Sequence, residues 1–284
     1  MKILVLGASG MLGNAVTRLL SECSQYEVWG TVRSAHVRSY FPPAVAQRLI
    51  PEINVENLDS LAAVFAQTRP DVVINCVGLV KQLGAANDPL QALPINAMLP
   101  HRLARLCEIA KARLIHVSTD CVFNGLRGNY RETDPCDALD LYGRSKALGE
   151  VVYPHAITLR TSIIGHELSS AHGLVGWFLS QHGEIKGYQR AIFSGLPTVE
   201  LASVIRDRVL DYPQLSGLYH VAAAPISKFD LLTLVAKAYG KSINIEPDAA
   251  VVVDNSLNAD KFAEATGYVA PSWPELVRRM HEFK

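Results

Sequence analysis

The chain has 284 residues, enough for one large α/β domain or a domain pair with a sizeable core. Its 27 basic and 27 acidic residues cancel, and no run of Lys or Arg builds a strong field, which argues against a nucleic acid partner. No stretch reaches the roughly 18 uncharged apolar residues of a membrane span, the first apolar run is broken at Gly7, and the protein reads as cytoplasmic, without a membrane partner. The five cysteines, Cys23, Cys76, Cys107, Cys121 and Cys136, include no CxxC pair, which argues against a disulfide framework or a metal site.

In chain order, Ile3–Leu6 reads as a short apolar strand and Met11–Leu20 as a helix, its apolar residues at helical spacing. Glu27–Val32 is a second strand, and Asn57 is placed to cap a helix over Leu58–Gln67. Asp71–Val77 reads as a buried strand, Ile95–Ala110 as a long amphipathic helix and Leu114–Ser118 as a further strand. Tyr142–Val151 is a helix and Ile157–Arg160 a strand. Strands separated by helices predict an α/β fold: a doubly wound parallel sheet of the Rossmann kind with right-handed crossovers.

Beyond about residue 162 the alternation fades into irregular, Gly-rich segments. Helical periodicity returns at Leu201–Leu210, Lys228–Tyr239 and Ala259–His281, the last with a Trp273-Pro274 helix start. The expected organisation is a dinucleotide-binding Rossmann domain over 1–162 and a smaller, C-terminal substrate domain over 163–284, with room for one segment to cross back. A cleft between them is the default place for a substrate.

Gly7, Gly10 and Gly13 leave the first strand and open the first helix. The first glycine permits a tight turn, the second lets backbone approach a pyrophosphate, and the third lets helix and sheet pack closely. The helix start offers free N–H groups and a positive dipole to phosphates, so Ser9, Met11 and Leu12 join the glycines as expected cofactor contacts. At the end of the second strand VWGTV runs into Arg33, with Arg38 further on and no acid nearby. A cation there suits the 2′-phosphate of NADP(H); the other reading is a solvated surface arginine.

Tyr142 and Lys146 are spaced i, i+4 and share one face of a helix. An ammonium beside a phenol lowers its pKa, and a tuned tyrosine can hand a proton to a carbonyl oxygen as hydride arrives. Ser118-Thr119-Asp120 follows a buried strand, at the end where open α/β sheets bind ligands, and a hydroxyl there could hold the same oxygen.

With these residues the chain resembles an extended short-chain dehydrogenase/reductase, and most of all the dTDP-4-dehydrorhamnose reductase family. The resemblance is carried by GASGMLG (7–13), VINCVG (73–78), PINAMLP (94–100), STDCVFNG (118–125), YRETDP (130–135), YGRSK (142–146), LRTS (159–162), GLPT (195–198) and GLYHVA (217–222). It runs over nearly the whole length in motif order. It implies Thr119, Tyr142 and Lys146 as the catalytic set, NADPH as cofactor, and a nucleotide-linked 4-keto-6-deoxy sugar as substrate. The activity would be an oxidoreductase step in deoxysugar and polysaccharide biosynthesis. Asn54, Cys76, Val77, Gly78 and Asn96 are further expected cofactor contacts; for Asn75 and Asn96, hydrogen-bonded support is favoured over direct chemistry.

The chain departs from the pattern at Cys121, where the family usually has Tyr. Related dehydratases place an Asp-Glu pair after the threonine; here Asp120 is followed by Cys121, which argues against water loss. GDP-fucose synthase resembles this chain in having a cysteine there, paired with a downstream histidine for proton exchange beside the keto group, and His172 falls near that histidine's place. An epimerase–reductase is therefore the alternative, against the blander reading of Cys121 as small filler and His172 as a loop residue. Lys81 and Gln82 are candidate sugar or pyrophosphate contacts, with Trp177 and Lys186 near the expected nucleotide site and Asp120 near the sugar. A third alternative is a non-catalytic, cofactor-binding regulatory subunit, as a relative of this family serves methionine adenosyltransferase; the intact Thr119, Tyr142 and Lys146 argue against it. A homodimer is the base-rate assembly.

Overall fold

A computed structural model describes residues 1–80 and 84–283. Seven strands form the main sheet: β1 (Lys2–Leu6), β2 (Glu27–Thr31), β3 (Leu49–Ile50), β4 (Val72–Asn75), β5 (Arg113–Thr119), β6 (Ala156–Thr161) and β7 (Gly217–His220). Their spatial order is β7-β6-β5-β4-β1-β2-β3, and every pairing is parallel. Chain order reverses between β1 and β4, which opens a crevice beyond their carboxyl ends.

The core follows from strand periodicity. Successive side chains of β1 point to opposite faces, so Ile3 and Val5 join one apolar cluster and Leu4 and Leu6 the other. The first cluster takes Leu12, Val16 and Leu19 from helix Met11–Ser21, and Leu201, Val204 and Ile205 from the helical run that starts at Thr198. The second takes Leu61, Val64 and Phe65 from helix Leu58–Thr68, and Leu99, Leu103 and Cys107 from helix Leu99–Ala110. A sheet covered on both faces needs strands that are apolar throughout, and Ile3 to Leu6 are fully buried. Asn57 caps its helix as expected, its Oδ1 accepting from the Asp59 and Ser60 N–H groups at 2.9 and 3.1 Å.

Three elements differ from the sequence reading. The helix expected over Ile95–Ala110 starts regular only at Leu99, because Leu93–Met98 forms a wider π turn. Pro100 has no N–H to return to the Asn96 carbonyl, and that oxygen instead faces Gly149, where a Cβ would lie 2.0 Å from it. The helix expected over Tyr142–Val151 ends at Leu148 for the same reason: the chain turns at Gly149 against Asn96, and Glu150 leaves to meet Arg160. The run Ala259–His281 is two helices, Asp260–Thr266 and Trp273–Glu282, broken where Gly267 takes a left-handed φ of 69°.

GLYHVA supplies β7, which pairs with β6 from Gly217↔Ile157 to His220↔Arg160. A segment from the second half of the chain thus completes the main sheet. No described helix is long and apolar enough to cross a membrane.

Candidate active site

The glycine loop separates what the protein needs from what a ligand needs. Gly7 takes φ +80°, and a Cβ at Gly13 would lie 2.0 Å from the Gly7 carbonyl oxygen, so both glycines are demanded by the fold itself. Gly10 is different: its φ of −72° suits any residue, and among the described residues a Cβ there meets only the Gly7 oxygen, at 3.4 Å. The open space over Gly10 fits a phosphate approaching the backbone. The helix it opens has no acid in its first turn and no side-chain cap, so its N–H groups near Met11 and Leu12 are available to an anion. Ser9 sits half-buried in the same turn.

At the end of β2 the two arginines part company. Arg38 gives Nε and Nη2 to the Leu49 carbonyl at 3.2 and 2.5 Å and is a structural tie. Arg33 is exposed and has no hydrogen bond or ion pair among the described residues. Asn54, beyond β3, is exposed and accepts from the Glu56 N–H at 3.0 Å in a local turn. Leu168 packs on Ala8, Val32, Val37 and Phe41, and a Cβ at Gly173 would lie 2.5 Å from Met11 Cε, so residues 168–173 lie against the glycine loop.

Where β4 ends, Cys76, Val77 and Gly78 line the crevice. Asn75 holds this exit: its Oδ1 accepts from the Val77 N–H at 3.1 Å and its Nδ2 meets His116 Nδ1 at 3.1 Å. Asn96 is committed to the protein, accepting from the Leu79 N–H at 2.9 Å and donating to the Leu79 carbonyl and Ser145 Oγ at 3.3 and 3.2 Å. It is a strut between the β4 exit and the helix of Tyr142. Burial pushes the Cys76 thiol up to about 12, with Lys146 pulling the other way.

The chemistry gathers at the end of β5. Helix Leu141–Leu148 is capped by Asp140, which accepts from the Gly143 N–H at 2.7 Å, and carries Tyr142 and Lys146 on one face. A Cβ at Gly143 would strike the Cys121 carbonyl at 2.2 Å, so the helix seats directly on the turn Asp120–Val122. Lys146, 5% exposed, gives its Nζ to the Val117 carbonyl at 2.9 Å. Burial lowers its pKa to about 8, against the pull of Glu150 and Cys76. Thr119 Oγ1 donates to Asp120 Oδ1 at 3.1 Å and accepts from the Cys121 N–H at 3.2 Å.

The phenol corrects one expectation. Tyr142 is held above the ordinary phenol range, first by burial and next by the Cys121 thiol, with the Thr119 hydroxyl pulling it down and Asp120 and Asp140 pushing it further up. Lowering by Lys146 is therefore not what sets it: the ammonium gives a hydrogen bond to the Val117 carbonyl, and burial dominates at the phenol. A phenol held protonated is suited to giving a proton.

The outer candidates do not converge on this cluster. His172 and Trp177 are exposed, the latter at the surface of helix Leu174–Ser180. Lys186 pairs with Asp248 at 3.1 Å, where Glu184–Tyr188 runs parallel to Asn244–Asp248. Lys81 and Gln82 lie outside the described residues.

One buried network was missed. Arg160 on β6 binds Glu150, reaches His220 Nε2 at 2.9 Å and lies over the Phe123 ring at 4.9 Å. Ser118 Oγ donates to the same Glu150 at 2.7 Å. The network ties β5, β6 and β7 together just behind Thr119. The one sequence signal was a cation inside the apolar run AITLRT.

A Rossmann sheet of this order, a glycine loop that keeps room for phosphate, and Thr119, Tyr142 and Lys146 at the crevice define a dinucleotide-binding protein of the extended short-chain dehydrogenase/reductase class. Within that class the chain belongs to the family described as RmlD substrate binding domain, whose model matches residues 1–282. It is 28% identical over 241 residues to the dTDP-4-dehydrorhamnose reductase of Aggregatibacter actinomycetemcomitans, covering 81% of this chain and 76% of that protein. It is 25% identical over 259 residues to methionine adenosyltransferase 2 subunit beta of Xenopus tropicalis, covering 84% and 72%. The fold matches the crystal structure of a dTDP-4-dehydrorhamnose reductase from Bacillus anthracis in complex with NADP, with a TM-score of 0.80 at 22% identity over 100% of this chain and 98% of that one.

Proposed function

We propose that the chain is an NADPH-dependent reductase of a nucleotide-linked 4-keto-6-deoxy sugar, working in deoxysugar and polysaccharide biosynthesis. The observation that carries this is the convergence of Thr119, Tyr142 and Lys146 at the carboxyl end of β5, beside the glycine-loop crevice. Similarity to proteins named dTDP-4-dehydrorhamnose reductase supports the substrate class, and a solved relative in complex with NADP supports the cofactor.

NADPH would lie along Gly7–Gly13, with Arg33 at its 2′-phosphate and Cys76–Gly78 beside its nicotinamide half, and it supplies the hydride. Tyr142 gives its proton to the carbonyl oxygen; its raised pKa keeps that proton in place at neutral pH. Lys146, charged below about pH 8, holds positive charge under the Cys76–Gly78 floor, where a Cβ on Gly78 would lie 3.9 Å from its Nζ. We assign the dinucleotide to residues 1–162 and the sugar chiefly to 163–284. The assembled set favours a reductase over a non-catalytic subunit. A cytoplasmic homodimer is the working form that base rates favour.

Purified protein should oxidise NADPH on addition of a dTDP-4-keto-6-deoxy sugar; no turnover across a panel of nucleotide ketosugars overturns the proposal. A second reading, epimerisation before reduction, draws support from Cys121, which lies beside Asp120 in the turn on which the Tyr142 helix seats. It requires solvent deuterium to enter the sugar beside the keto carbon, and to stop doing so in Cys121→Ser.

A further inference from the structure

A threonine hydroxyl has one hydrogen to give and two lone pairs to fill. Thr119 gives its hydrogen to Asp120 Oδ1 at 3.1 Å and accepts the Cys121 N–H at 3.2 Å. An ionised carboxylate only accepts, so while Asp120 is charged the one Thr119 hydrogen is committed to it. What Thr119 then offers the crevice is a lone pair, beside the turn on which the helix of Tyr142 seats. A lone pair there draws the phenol hydrogen towards Thr119 and away from a substrate oxygen. The donor order runs backwards for a proton-giving site.

With a proton on Asp120 the Asp120–Thr119 bond and the Thr119–Tyr142 donor order reverse, while the Cys121 N–H keeps donating to Thr119. The carboxyl gives its hydrogen to Thr119, Thr119 turns its own hydrogen to the phenol oxygen or the substrate carbonyl, and Tyr142 is left to give its hydrogen to that carbonyl. We infer that Asp120 is a positioning residue whose proton sets the direction of the Thr119 and Tyr142 hydroxyls, and that reduction runs through the form with Asp120 neutral. This rests on the reductase reading above.

The surroundings suit the role. Asp120 is 6% exposed. Facing it are Thr119 and Cys121 from its own turn, Ser162 beyond β6, and Tyr142 from the helix packed on that turn. Among the described residues no lysine or arginine faces it, and none of them holds the carboxylate in its charged form. Burial pushes the carboxyl up to about 6, even though the Cys121, Thr119 and Ser162 hydrogen bonds pull it down.

The test follows kcat and KM from about pH 5 to about pH 8 for the wild-type chain, D120N, T119S and T119V, with NADPH and a dTDP-4-keto-6-deoxy sugar. Alongside, NMR of 13C-carboxyl aspartate in the wild-type protein, assigned by the signal missing in D120N, reads Asp120 with no substrate present. Asparagine cannot ionise and keeps an N–H to give Thr119. Wild-type kcat should fall by nearly tenfold per pH unit above about 6 with KM little changed. D120N should stay level until the Lys146 limb near 8. T119S should follow the wild type, T119V should lose the limb near 6 with most of the turnover, and the Asp120 signal should titrate near 6. A wild-type kcat that is level from about pH 5 to 7, a D120N profile that falls like the wild type's, or an Asp120 midpoint below about 4.5 overturns the inference. A wild-type chain that reduces no ketosugar fails the reductase reading itself, whereas a working reductase indifferent to Asp120 sinks this inference alone.

Discussion

Arg160 grips Glu150 through two parallel hydrogen bonds, Nε to Oε1 at 2.8 Å and Nη2 to Oε2 at 2.6 Å, with the two side chains 2% and 9% exposed. Fork geometry fixes both groups, and Ser118 and His220 are hung from the same pair. Arg160→Leu strands a buried carboxylate, and Glu150→Gln leaves a guanidinium without its counter-charge. Each should cost about 3–5 kcal/mol in urea denaturation. A loss below about 1 kcal/mol in both would mean that water reaches this network freely.

The glycine loop yields a paired prediction. Gly13→Ala puts a Cβ 2.0 Å from the Gly7 carbonyl oxygen, so the loop must move. Its melting temperature should drop, with about 1–3 kcal/mol lost. Gly10→Ala meets no atom of the described residues closer than 3.4 Å, so its stability should stay within about 0.5 kcal/mol of wild type. Its NADPH affinity, read by cofactor fluorescence, should still fall at least about tenfold, because the added methyl occupies the pyrophosphate's approach. Unchanged affinity in Gly10→Ala would remove the phosphate from this loop.

Arg33 carries the choice of cofactor. Arg33→Ala should weaken NADPH by about ten- to a hundredfold and leave NADH nearly unaffected, since the guanidinium addresses only the 2′-phosphate. Fluorescence titrations with both cofactors decide it. An equal loss for the two, or none for either, would make Arg33 a solvated surface residue.

Lys146 sets an upper limit in pH. A lysine whose pKa is lowered to about 8 keeps its proton below that value and gives it up above, so in D120N, which lacks the Asp120 limb, kcat/KM should decline on the alkaline side of about 8. Adding Lys146→Arg to D120N keeps the charge through this range and should lose that decline, at reduced turnover. A D120N profile level to about pH 9.5 would detach the ammonium from catalysis.

Local patterns were legible in the sequence; long-range ones were not. Gly7, Gly10 and Gly13, the Asn57 cap, and Tyr142 one turn before Lys146 each follow from residues within a few positions of one another. The Arg160 network joins residues 10 and 60 positions apart, and no periodicity links them. Helical spacing put Lys146 on the same face as Tyr142 and so suggested a lowered phenol. It could not see the Val117 carbonyl that takes the ammonium, nor the burial that raises the phenol instead. GLYHVA reads as a strand, but only the paired register with β6 places it in the main sheet. The break at Gly267 shows the reverse: apolar spacing ran on through Ala259–His281, and one left-handed backbone angle divided it.

The central claim is that Tyr142 gives the proton as hydride arrives, and it is tested most directly by single-turnover reduction of a dTDP-4-keto-6-deoxy sugar in wild type and Tyr142→Phe. The variant should fold and bind NADPH as the wild type does, while hydride transfer, read as loss of NADPH absorbance, slows by about a hundredfold or more. Wild-type rates in Tyr142→Phe would contradict the account.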